Sequence, residues 1–108
     1  MNIRFLYYED CPSHETALER LQMVMNQENI SSEVEVIKVE TEDQANSWKF
    51  VGSPTILING EDIVPPPEDA QYNLTCRAYR LENGRISPLP SEIMIRDALQ
   101  AHQVQEIS

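Results

Sequence analysis

Three stretches in the first forty residues restrict the fold more than anything else in this chain. Ile3-Arg4-Phe5-Leu6-Tyr7-Tyr8 is an aromatic and branched run that stops at Glu9-Asp10, which predicts a largely buried strand. Ala17, Leu18, Leu21, Val24 and Met25 follow at helical spacing, with Glu19, Arg20, Gln22 and Asn26 between them. That pattern predicts an amphipathic helix of about four turns, ended at Asn29 or at Ser31-Ser32. Residues 33–40 then place Val34 and Val36 on one face of a second strand. A strand, a helix and a strand in so short a span make a right-handed βαβ unit with parallel strands.

The expected caps sharpen these boundaries. Asp10 is placed to cap the first helix, with Pro12 near its first position, where a missing N–H costs nothing. Thr41-Glu42-Asp43 opens a short helix carrying Ala45, Trp48 and Phe50, with Thr41 as its cap. Val51-Gly52-Ser53-Pro54-Thr55 reads as a turn, Ile56-Leu57-Ile58 as a third strand, and Asn59-Gly60 as the tight turn that ends it. Residues 61–75 contain Pro65-Pro66-Pro67 and read as an irregular loop, since consecutive prolines exclude helix and central strand. Cys76-Arg77-Ala78-Tyr79-Arg80-Leu81 is expected to be the fourth strand. A turn at Glu82-Asn83-Gly84 leads to a brief strand at residues 85–87. Ser91 caps a last helix whose apolar side carries Ile95, Ala98, Leu99 and Val104. The expected architecture is α/β: one domain over residues 1–108, with a four-stranded mixed sheet in the order 2-1-3-4 and helices on both faces.

Charge and composition narrow the function. Eighteen acids oppose eight bases, for a formal charge of −10. A polyanion would be repelled, because nucleic-acid affinity rests on Lys and Arg at phosphates. The N-terminal apolar run is short and followed by two acids, which does not suit a signal peptide. No segment approaches the roughly 20 apolar residues of a membrane span. A cytoplasmic location is therefore expected, and there the two cysteines, Cys11 and Cys76, are not expected to form a permanent staple.

Two motifs carry a resemblance. Cys11-Pro12-Ser13-His14 between a strand and a helix, and Gly52-Ser53-Pro54-Thr55 just before a strand, resemble the active-site turn and the cis-proline loop of the thioredoxin-like superfamily. With the Pro-rich loop, Cys76-Arg77 and Tyr79, the chain looks like a group of small bacterial single-domain thioredoxin-like proteins, some of them labelled alkylmercury-lyase relatives. The resemblance implies the thioredoxin-like fold, a thiol site at Cys11, and a cis-proline at Pro54 that sets the Ser53 backbone against the sulfur, where a thiol or peptide would pair in β fashion. It departs from the Cys-x-x-Cys of oxidoreductases, because His14 occupies the second position. The site reads as monothiol, which leaves three alternatives: a mixed disulfide resolved by glutathione, one resolved by Cys76, or no redox cycle at all.

Each residue then takes an expected role. Cys11 at a helix start is the candidate nucleophile, since the helix dipole favours a thiolate, while Glu9, Asp10 and Glu15 oppose it. His14 and Pro54 join it as catalytic candidates; Pro12, Ser13, Ser53 and Thr55 are candidate substrate contacts. Cys11 and His14 are soft or borderline metal ligands, but two fall short of the four of a structural zinc site, so no metal and no cofactor are assigned. Cys76 is expected at the sheet end away from Cys11, about 17 Å off, as a buried core residue. A resolving role survives if the Pro-rich loop moves its strand. Arg77 and Arg80 either hold an acidic ligand or balance surface acids. The leading function is thiol–disulfide exchange or thiol-conjugate binding, with a small thiol or a protein disulfide as partner. The alternatives are a soft-metal or organomercurial binding protein, and a non-catalytic interaction module.

Overall fold

The computed structural model describes residues 1–107, with side chains through residue 103. Its order is β1 (Ile3–Tyr7), α1 (His14–Gln27), β2 (Val34–Lys38), α2 (Glu42–Trp48), β3 (Thr55–Ile58), β4 (Glu61–Asp62), β5 (Tyr79–Arg80), β6 (Ile86–Ser87) and α3 (Glu92–Ile107). The main sheet has four strands in the order β2-β1-β3-β4. β1 runs parallel to β2, with Ile3 opposite Val34, and antiparallel to β3, with Ile3 opposite Ile58. The α/β class and the 2-1-3-4 order match expectation.

The period-2 alternation of β1 and β3 sorts their side chains onto two faces. Ile3, Phe5, Ile56 and Ile58 pack against Ala17, Leu21, Val24 and Met25 of α1 and against Ile95 and Leu99 of α3. Leu6, with Leu57 at the margin, packs on the other face against Val39, Ala45 and Phe50, the side α2 covers. Val36 remains exposed because β2 is the sheet edge. The cap expectations divide. Thr41 forms a full capping box with Gln44, Ser91 accepts from the Met94 N–H at 3.1 Å, and Asn29 closes α1 in the left-handed region with φ 57°. The Val104 side chain lies outside the described residues.

The fourth strand is not the expected one. Leu57 pairs with Asp62 and Ile58 with Glu61, so Asn59-Gly60 is a two-residue hairpin loop and β4 follows it at once. Both loop residues have positive φ, 53° and 84°, as a type I′ turn requires. Residues 76–81 are thereby displaced from the main sheet. Tyr79–Arg80 pair instead with Ile86–Ser87 in a separate two-stranded hairpin across Glu82-Asn83-Gly84.

Candidate thiol site

Cys11 lies in the turn between β1 and α1. Its N–H donates to the Tyr8 carbonyl at 3.0 Å, folding the chain back after the strand. Helix α1 is capped at Ser13, whose side chain makes no capping bond. Cys11 and Pro12 therefore sit ahead of the helix, not in its first turn. Asp10, expected as the cap, accepts instead from the Tyr8 hydroxyl at 2.9 Å. His14 does not address the sulfur: its Nδ1 lies 2.8 Å from the Cys11 carbonyl oxygen. A carbonyl only accepts, so Nδ1 carries the hydrogen. The imidazole stacks on Tyr7, with ring centroids 4.5 Å apart and planes 21° from parallel. His14 thus fixes the shape of the Cys11 turn.

The proline loop forms the second wall. The Ser53–Pro54 peptide bond is cis. Ser53 and Thr55 are buried, with side chains satisfied inside the protein. Ser53 Oγ accepts from the Tyr8 N–H at 2.9 Å, which ties the loop to the end of β1. Thr55 Oγ1 donates to the Gly52 carbonyl at 2.6 Å. Of the four expected substrate contacts, Pro12 is exposed and Ser13 half-buried, whereas Ser53 and Thr55 face inward.

The third wall overturns the placement of Cys76. Cys76 is bonded to Cys11 in a disulfide, with the two Cα atoms 5.7 Å apart. It is neither in the core nor at the far end of the sheet, and it supplies the second sulfur that a monothiol site would lack. The reason is β4: with that position filled by residues 61–62, the Pro-rich loop carries residues 73–78 back over the proline loop. Ser53 donates its N–H to the Thr75 carbonyl at 2.8 Å and accepts from the Arg77 N–H at 2.9 Å. Ser53 and Cys76 are thus a parallel bridge pair. The backbone groups of Ser53 expected to pair with a partner are held by the protein's own chain.

Gly52 permits this approach. A Cβ there would lie 2.8 Å from the Arg77 Cα, and its φ of +148° disfavours other residues. Arg77 then locks the crossing segment. Its guanidinium donates to Asp62 at 2.7 Å, to the Val64 carbonyl and, more weakly, to Thr55 Oγ1 at 3.3 Å. It also lies 4.6 Å from the Tyr79 ring centroid. Both charged side chains are nearly enclosed, at 7% and 9% exposure. The Tyr79 hydroxyl donates to the Pro54 carbonyl at 2.6 Å. Burial pushes the phenol well above its usual pKa, against the opposing pull of the Arg77 charge. Asp62, Arg77 and Tyr79 therefore build the site: Asp62 carried no expected role, Arg77 serves a buried ion pair instead of an acidic ligand or the surface charge balance, and Tyr79 entered only with the family resemblance. Asn59-Gly60 is a signal for Asp62 alone, because a two-residue hairpin sets that residue beside β3.

The two cysteines differ in access. Cys11 is 3% exposed, while Cys76 lies exposed at the surface. Glu9 and Asp10 precede Cys11, and Glu9 is paired with Lys38 at 2.7 Å. Among the described residues, no group of three or more His, Cys, Asp or Glu side chains could hold a metal ion. Also among them, no helix is long and apolar enough to cross a membrane. A scan against models of protein families, a search of curated proteins and a search of solved structures each found no match to this chain.

Proposed function

We propose that this chain is a thioredoxin-like thiol–disulfide exchange protein whose working pair is Cys11 and Cys76. One observation carries the reading. A cysteine 65 residues away in sequence is bonded to Cys11 across the proline loop, and it sits on the exposed side. A thiolate can approach such a disulfide from the side of Cys76, the exposed residue of the pair, and access is one of the factors setting the exchange rate. Two thiols reduce the pair and leave as one disulfide; the reverse reaction oxidises the protein and returns two thiols. The partner is a small thiol or a protein disulfide. The protein works in the cytoplasm, where disulfides are characteristically transient and catalytic rather than structural. The acidic surface keeps it off nucleic acid.

A soft-metal role for Cys11 with His14 gains no support from the geometry, because the imidazole is committed to a carbonyl and to Tyr7. The test is a redox titration. The protein is equilibrated in glutathione buffers of graded ratio, alkylated, and read by intact mass. An exchange pair converts between disulfide and dithiol within about −270 to −120 mV, the span of known redox-active pairs. A pair that stays oxidised in the most reducing buffer while the protein remains folded is a staple, and the proposal fails.

A further inference from the structure

We infer that the two sulfurs divide the exchange between them: Cys76 is the sulfur that meets the partner, and Cys11 is the resolving thiol behind it. The inference rests on the exchange reading above and reverses the order that the Cys11-Pro12-Ser13-His14 turn suggests.

Cys76 is an exposed residue, whereas Cys11 is 3% exposed. The backbone route to Cys11 is also occupied, since both Ser53 groups are bonded to Thr75 and Arg77. A partner peptide cannot pair there without expelling residues 75–77. The ties holding those residues do not pass through the sulfurs. Arg77 is fixed by Asp62, Val64 and the Tyr79 ring, and Tyr79 by Pro54. Opening the disulfide leaves them intact, so Cys76 stays over Cys11 in the dithiol form and ring closure is an intramolecular step between prepositioned groups.

The steps balance. In the reduced protein the Cys76 thiolate attacks a partner disulfide RSSR. A Cys76–SR bond forms, and RS⁻ leaves and takes up a proton. The Cys11 thiolate then attacks Cys76 Sγ, forming the Cys11–Cys76 bond and expelling the second RS⁻, which is protonated in turn. Two electrons pass from the dithiol to the partner, which leaves as two thiols. In the opposite direction an incoming thiolate attacks Cys76 Sγ and Cys11 departs as thiolate.

The experiment traps the mixed disulfide with glutathione disulfide. Cys11→Ser retains Cys76 and is expected to gain one glutathione about tenfold or more faster than Cys76→Ser. Faster adduct formation in Cys76→Ser overturns the inference. Because both variants lose the covalent link, the order is also read in reduced wild type: a short N-ethylmaleimide pulse, an acid quench and peptide mapping. Label appearing first on Cys76 supports the assignment; label appearing first on Cys11, or on both at equal rates, overturns it. Exchange through Cys11 sinks only the division of labour. Failure of the folded wild type to exchange at either cysteine, alongside a flat glutathione titration, removes the exchange reading itself.

Discussion

Ser53 and Cys76 are paired as neighbouring strands would be, through two backbone hydrogen bonds of 2.8 and 2.9 Å, although 22 residues and a Pro-rich loop separate them. The pairing places a cysteine from late in the chain over one from its start. It also fills the backbone position where a partner would be expected to add. Most of what distinguishes this site follows from how that crossing segment is held.

The Arg77–Asp62 pair should be the anchor. Arg77→Met leaves a carboxylate enclosed without its partner, and breaking a buried pair in this way costs about 3 to 5 kcal/mol. Replacing both residues with apolar ones should cost less than the two single changes summed. Urea unfolding of the four proteins of the cycle, with the disulfide intact, measures this. Additive losses would mean that the pair does not couple.

Gly52→Ala should push residues 75–77 off the proline loop. The added Cβ meets backbone, which cannot swing aside. The expected loss exceeds about 1 kcal/mol. Amide exchange at Ser53 and Arg77, whose N–H groups form the bridge, should accelerate more than exchange in α3. Uniform acceleration would argue against a local effect.

Tyr79→Phe removes the donor to the Pro54 carbonyl and should cost about 1 to 3 kcal/mol, the penalty of an unsatisfied buried acceptor. The same phenol predicts a pH effect. Burial raises its pKa in the folded protein above the ordinary value of 10.0. Its contribution is therefore complete below pH 10 and falls as the pH climbs toward the raised value, because only the unfolded chain then ionises. Comparing unfolding at pH 9 and pH 11 should show a smaller alkaline loss in Tyr79→Phe than in wild type. Equal losses would place the alkaline sensitivity elsewhere.

Reducing the disulfide should lower stability by about 4 kcal/mol on chain-entropy grounds for a loop of this size. Unfolding with and without a phosphine reductant reads this directly. The reduced protein should nonetheless keep its fold under native conditions, since the Arg77 and Tyr79 ties do not involve sulfur. Loss of the native near-ultraviolet dichroism on reduction would contradict that.

Local chemistry made the first half of the chain legible. β1, α1, α2 and β3 declare themselves through alternation, helical spacing and a threonine cap, all fixed by residues within a few positions of one another. The cysteine turn and the turn at residues 51–55 are legible as short motifs set beside regular elements, while the cis bond at Pro54 is what the thioredoxin-like resemblance implies. The fourth strand was misplaced because two residues, Glu61 and Asp62, are too few to show alternation. The longer stretch at 76–81, which sets Ala78, Tyr79 and Leu81 among two arginines, reads as the better strand. Asp10 has the residue type of a cap, but the Tyr8 hydroxyl donates to its carboxylate, a pairing that the sequence does not reveal.

The sequence by itself determined an acidic α/β chain with a parallel β1-β2 pair, helices from its apolar stripes, and Cys11 and Pro54 at the junctions of regular elements. Only the tertiary structure decided that Cys76 meets Cys11 and that the backbone groups of Ser53 are already taken by Thr75 and Arg77. Periodicity reports which face a residue buries against its own neighbours. The path of residues 63–78 is set instead by an Arg77–Asp62 pair and a hydroxyl-to-carbonyl bond between distant segments, which leave no period to read.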